Sequence, residues 1–240
     1  MLADLDEPFV RYARFWLGCD DGRQGVVLVY DHPEFCALVA HGATRAITAA
    51  LAAATDLPSR PLVIAREPGV RALAACYELD GLHAMLRMAV DSASFRPAHS
   101  TGARRLIVDD LPALRRLYAA YDGSVFTSDQ LEHGVFYGID DPSGPAKLLS
   151  AAGTHVVSDA YRLASIGNVF TLPEARGRGL AVQVTSAVAE SLLHMGCRDV
   201  VLNVRPDNDA AIRVYRRLGF EVHCEFREGP ARAKPTTAMG

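Results

Sequence analysis

Residues 171–183, TLPEARGRGLAVQ, set Arg176, Gly177, Arg178 and Gly179 in succession between an apolar run and a run of helical spacing. Glycine adopts backbone conformations that other residues avoid, so the stretch predicts a strand giving way to a helix within a few residues. The backbone N–H groups of such a turn and of the first helical turn converge at the positive end of the helix dipole. That point suits a pyrophosphate: Gly177 and Gly179 let the backbone approach closely, and Arg176 and Arg178 add charge at the edge. Alone, a GxG turn is weak evidence, because many tight turns before helices share it.

The flanking sequence gives this turn a context. RRLIVDD predicts a strand and LPALRRLYAAY a helix, capped by Asp109 or Asp110, with Leu111, Leu114, Leu117 and Tyr118 on one face. SDQLEHG predicts one or two helical turns. VFYGID, AKLLSAAGTHVVS and LASIGNVFT read as three strands separated by turn residues, an antiparallel meander. From Leu180 the apolar positions 180, 181, 184, 188 and 192 follow helical spacing, and DVVLNV (199–204) is a strand. NDAAIRVYRRLGF is a helix capped by Asp207 or Asn208 and ended by Gly219, with Ala211, Val214, Tyr215 and Leu218 turned inward.

The first half alternates in a similar way. GVVLVYDH (25–32), PLVIAR (61–66) and GLHAMLRMAVD (81–91) predict strands, and residues 43–57 and 69–79 predict helices. SASFRPAHSTGA interrupts the pattern with Ser, Pro and Gly. The expected organisation is therefore an N-terminal α/β domain over 1–95, a linker over 96–102, a second domain over 103–226 and a frayed tail over 227–240. Residues 1–95 hold no constellation that carries chemistry.

Composition narrows the partners. A formal net charge of −3 gives no general attraction to nucleic acid, so an anion site must be local. The five cysteines, Cys19, Cys36, Cys76, Cys197 and Cys224, are scattered and never spaced as CxxC, which argues against a metal site or a disulfide framework and for a reducing, cytoplasmic home. No apolar run approaches the length of a membrane span, and the start, MLADLDEPFVRYARF, carries acids where a secretory signal would be basic.

Arg176-x-x-Gly179-x-Ala181, followed by Asn203 on the next strand and then Asn208, Ala211, Tyr215 and LGF at 218–220, resembles the GCN5-related N-acetyltransferase superfamily over about residues 103–226. The resemblance implies an α/β (α+β) fold, a mixed and mostly antiparallel sheet flanked by helices, preceded here by a smaller α/β half-domain. That half is similar to the degenerate half-copy of glycine N-acyltransferase-like members. An unrelated α/β domain used for packing or dimerisation is the alternative, and the chain is expected to be a monomer or a homodimer.

The resemblance also implies chemistry. Acetyl-CoA would be the acyl donor, its pyrophosphate held by Arg176, Gly177, Arg178, Gly179, Leu180 and Ala181, and its pantetheine arm met by the backbone of Val169, Phe170 and Thr171, by Asn203 and by Asn208. Tyr215 would be the general acid that protonates the departing thiolate, although its spacing also fits a core tyrosine. Many relatives carry a glutamate base near the Gly-rich turn; here Asn168 and Asn203 stand at those places, and an amide takes no proton. His155, a water relay or a neutral low-pKa amine remain as routes, with His133 and Tyr137 as weaker candidates and Asn168 as a hydrogen-bond partner of the acceptor. The acceptor is expected to be the primary amine of a small molecule or peptide. Two other readings stay open: an acyl-CoA-binding sensor or scaffold without transfer, and a nucleotide-binding module, the latter weakened by Val182 where GxGxxG has glycine.

Overall fold

The computed structural model describes residues 9–120, 126–144 and 147–235. The first eight residues of the expected N-terminal domain and the last five of the expected tail lie outside the described residues. The chain forms two compact units, one from residues 1–86 and 224–240 and one from residues 87–223.

The first unit is built from β1 (Ala13–Asp20), β2 (Arg23–His32), β3 (Phe35–Gly42), α1 (Thr44–Ala53), β4 (Leu62–Ala65), α2 (Glu67–Leu73) and β5 (Tyr77–Glu78). β1, β2 and β3 form an antiparallel meander, and α1 carries the chain to β4, which runs parallel to β3. Alternation puts Val27, Val29, Leu38, Ala40, Val63 and Ala65 in one core with Ile47 and Ala50 of α1 and Ala72 and Leu73 of α2. β1 and β3 are absent from the sequence expectation. Their periodicity is hard to read, because β1 is only partly buried on either face and β3 is nearly continuously apolar.

The second unit begins within β6 (His83–Val90) and continues through β7 (Arg104–Arg105), α3 (Leu111–Ala119), α4 (Ser128–His133), β8 (Tyr137–Asp140), β9 (Leu148–Ser158), β10 (Leu163–Thr171), α5 (Leu180–His194), β11 (Asp199–Val204) and α6 (Asp209–Arg217) to the start of β12 (Glu221–Pro230). Its strands lie in the order β6-β11-β10-β9-β8-β7. The meander β8-β9-β10 is antiparallel, and α5 leads to β11, parallel to β10. Each unit thus repeats one plan: three antiparallel strands, a crossover helix, a parallel strand and a second helix. The right-handed preference of such crossovers restricts the available topologies to very few.

The compact units have other bounds than the expected domains. The division at residue 95 falls instead at 86/87, inside β6. Residues 96–102 lack regular structure but belong to the second unit, where the Ala98 N–H donates to Ser186 Oγ of α5 at 2.9 Å. Residues 227–235 are not frayed: Arg227–Pro230 of β12 pair with β4, and β13 (Arg232–Ala233) pairs with β5. A strand that borrows its partner from the far half of the sequence leaves no local periodic signal. RRLIVDD, expected as a strand, yields only β7 and a 3₁₀ turn at Val108–Asp110. There Arg104 bonds the carboxylates of Asp110 and Asp140, and Asp110 also accepts from the Ile107 N–H.

Candidate functional site

β10 and β11 are in register only from Leu163↔Asp199 to Ile166↔Leu202. Beyond that pair β10 continues to Thr171 and β11 to Val204 without pairing, so the two strands part where the Gly/Arg turn follows. On its other side β10 is irregular as well. Gly167 faces Gly153 but the next pair is Phe170↔Ala151, so Asn168 and Val169 share one position of β9. Asn168 takes a left-handed backbone, φ 53°, which asparagine tolerates better than most residues. Val169 falls outside both registers.

The bulge is held by named partners. The Tyr118 hydroxyl of α3 donates to the Asn168 carbonyl at 2.7 Å, and Asn168 Nδ2 donates to Gln130 Oε1 at 2.9 Å. Gln130 Oε1 also accepts from the Thr127 N–H in the capping box of α4, while its Nε2 lies 3.4 Å from His155 Nδ1. With Oε1 occupied by two donors, Nε2 faces the imidazole as a donor, which puts the ring proton on Nε2. His155 is itself an extra residue on β9, between Ser165↔Val156 and Ile166↔Thr154, and its ring lies where a Cβ on Gly167 would sit. Gln130 escaped the sequence reading, although the spacing Thr127-x-x-Gln130 is a capping-box signature.

The predicted anion turn takes the expected form. Gly177 and Gly179 adopt φ 76° and 74°, and no atom of the described residues lies within 4 Å of where their Cβ atoms would be. α5 starts at Leu180 with no side-chain cap, so the N–H groups of its first turn have no intrahelical acceptor. Arg176 Nε donates to the Thr171 carbonyl at 3.3 Å, anchoring its exposed guanidinium to the end of β10. A pyrophosphate matches this donor set. The equivalent place in the first unit is closed: a Cβ at Gly42 would strike Gln24 and Gly25, the Ala43 N–H is bonded to the Gln24 carbonyl at 3.1 Å, and β4 pairs with β3 along its full length.

The other predicted residues separate into groups. Asn203 Oδ1 accepts from Arg87 Nε at 3.0 Å. Asn208 caps α6, its side chain accepting from the Ala211 N–H at 3.1 Å. Tyr215 is buried on the inner side of α6 with its ring centroid 6.1 Å from that of Phe220. The Phe170 carbonyl accepts from Ser150 Oγ and the Thr171 carbonyl from Arg176, so in this stretch Val169 is left with neither a register partner nor such a side-chain contact. His133 bonds back to the Asp129 carbonyl of its own helix, and Tyr137 lines a cavity with Ser100, Glu190 and His194. Neither joins the bulge.

One chemical expectation changes. Burial pushes the His155 imidazole from 6.5 down to about 4, away from the range expected of a general base near neutral pH. Burial also raises the thiol of Cys197, which keeps it from acting as a ready thiolate.

The parting strands and the open glycine turn before a long helix belong to a mixed α/β fold. Residues 147–227 match the family described as FR47-like protein. A putative acetyltransferase of the GNAT family from Novosphingobium aromaticivorans superposes with a TM-score of 0.68 at 21% identity, covering 97% of this chain and 96% of that one. A tandem GNAT protein from the clavulanic acid biosynthesis pathway superposes with a TM-score of 0.57 at 17% identity, covering 97% and 86%. In sequence, a mycothiol acetyltransferase of Mycobacterium sp. (strain JLS) is 38% identical over 96 residues, 37% of this chain and 30% of that protein. The chain spans less than a third of the length of the curated relatives it matches. Its fold is that of these solved GNAT structures.

Proposed function

We propose that the chain is an N-acetyltransferase that moves an acetyl group from acetyl-CoA to a primary amine by direct transfer in a ternary complex. The observation that carries this reading is the coincidence, among the described residues in the second unit only, of parted strands and an open glycine turn at the N-terminus of α5. This combination would meet two needs of a CoA thioester: donors for the pyrophosphate and unpaired strand edge for the pantetheine amides.

In this reading the N–H groups of Leu180 and Ala181, with Arg176 and Arg178, hold the pyrophosphate. Val169, Phe170 and Thr171 line the pantetheine arm together with Asn203 and Asn208. The neutral amine attacks the thioester carbonyl, the tetrahedral oxyanion is met by a backbone N–H of the bulge, and the C–S bond breaks as Tyr215 gives its proton to the thiolate. The amine proton leaves through ordered water, because an imidazole held near 4 is a weak acceptor and Asn168 accepts none. His155 and Asn168 then act by shape and hydrogen bonding beside the acceptor. The first unit serves as a degenerate copy, a role supported by its matching plan and its closed turn.

The relatives named mycothiol acetyltransferase favour a small-molecule acceptor over a peptide. An amine screen with acetyl-CoA, read by thiol release and by mass of the product, tests the proposal. Acetylated product from small amines supports it. Tight CoA binding with no transfer to any amine would favour a sensor instead.

A further inference from the structure

Among the described residues the outer edge of the first unit's sheet is β1, and it lacks most of the devices that normally blunt an edge. It has no proline, lysine or bulge, and its register with β2 is unbroken from Ala13↔Tyr30 to Asp20↔Arg23. The opposite case is β7, the edge of the second unit, which is two residues long and charged. β1 also exposes large apolar side chains: Phe15 is 51% and Leu17 71% exposed, and Cys19 is exposed beside them on the same face. The other face of β1 is occupied, since Trp16 packs on the core and Gly18 lies against the backbone of α1.

The hairpin fixes which backbone groups face outward. Asp21 and Gly22, at φ 48° and 72°, form a two-residue loop of the I′ kind, so Asp20 and Arg23 exchange hydrogen bonds across it. Alternation then directs the N–H and C=O of Gly18, Trp16 and Arg14 to β2, and those of Cys19, Leu17 and Phe15 away from it. Three consecutive outward-facing pairs of donors and acceptors thus run beside an exposed apolar row.

The segment Arg14-Phe-Trp-Leu-Gly-Cys-Asp20 is complementary to itself when reversed about Leu17. Antiparallel pairing with a second copy sets Leu17 against the partner's Leu17, Phe15 against the partner's Cys19, and Trp16 against the partner's Gly18. It also brings Arg14 opposite the partner's Asp20. The outward-facing residues are the ones such a register hydrogen-bonds. Arg14 touches Asp31 at 3.5 Å yet keeps 42% of its side chain exposed, so it can reach a second carboxylate. We propose that two copies of this chain pair through β1 as a twofold antiparallel ladder centred on Leu17, giving a homodimer with a continuous sheet.

The test is light-scattering mass of the full chain across a dilution series. Wild type should run at twice the chain mass, and Leu17→Lys, which sets two ammonium groups together at the twofold axis, should run at the mass of one chain with an unchanged melting temperature. A second variant fixes the register and does not depend on the first folding normally: Leu17→Cys in a Cys19→Ser background should form a covalent dimer under a mild oxidant, because hydrogen-bonded antiparallel pairs lie about 5.5 Å apart at Cα. A monomeric wild type, a dimer that Leu17→Lys leaves intact, or no cross-link at position 17 would each overturn the proposal.

Discussion

The hydroxyl of Tyr118 and the carbonyl of Asn168 are joined at 2.7 Å in the interior of the second unit, so α3 holds the bulge of β10 in place. Tyr118→Phe removes the donor and leaves a buried carbonyl short of a partner. The expected cost is about 1–3 kcal/mol, read as a lower urea midpoint with an unchanged slope. An unchanged midpoint would mean that the bulge does not depend on α3.

Asn168 combines a left-handed backbone with an amide bond to Gln130. Asn168→Gly keeps the backbone and loses the amide, whereas Asn168→Ala loses both. The alanine variant should therefore be less stable than the glycine variant by about 1 kcal/mol. Equal unfolding midpoints for the two variants would show that the left-handed backbone carries no cost at this site.

His155 predicts a pH dependence of stability. Its folded value of about 4 lies below the 6.5 of an exposed imidazole, so the unfolded chain binds the proton more readily. The stability linked to this residue is full above about pH 6.5, declines as pH falls toward 4, and is lost below it, an interval equivalent to about 3 kcal/mol. Unfolding midpoints of wild type and His155→Gln, compared at about pH 7 and about pH 4.5, should differ in slope, with the wild type losing more.

Tyr215 is buried on α6 beside Phe220, which fits both a general acid and a core residue. Tyr215→Phe keeps the ring and deletes the proton. On the proposed reading it lowers turnover by about 10²–10⁴-fold while the affinity for acetyl-CoA stays within about twofold. Turnover equal to wild type would leave only the packing role.

Much of the second unit was legible because its signals are local. The meander, the helix from Leu180, the Asn208 cap and the glycine turn each show in periodicity or in residues tied to one backbone conformation. Gln130 was missed because its role depends on Asn168 and His155, both distant in sequence. The ordered stretch 227–235 escaped for the same reason, since its partners are β4 and β5. The residue type of His155 suggested a base, but the burial that shifts its proton affinity comes from tertiary packing.

The central claim is that the Gly/Arg turn before α5 holds the pyrophosphate of acetyl-CoA. It is tested most directly by calorimetric titration of acetyl-CoA into the wild-type protein and into Gly179→Glu. The position has φ 74° and open space beyond it, so the added carboxylate would enter the proposed pyrophosphate site. The wild type is expected to bind with a dissociation constant on the order of micromolar, weakened by at least about 100-fold in the variant, which is about 2.7 kcal/mol. Equal affinity in both proteins, or no binding by the wild type, would contradict it.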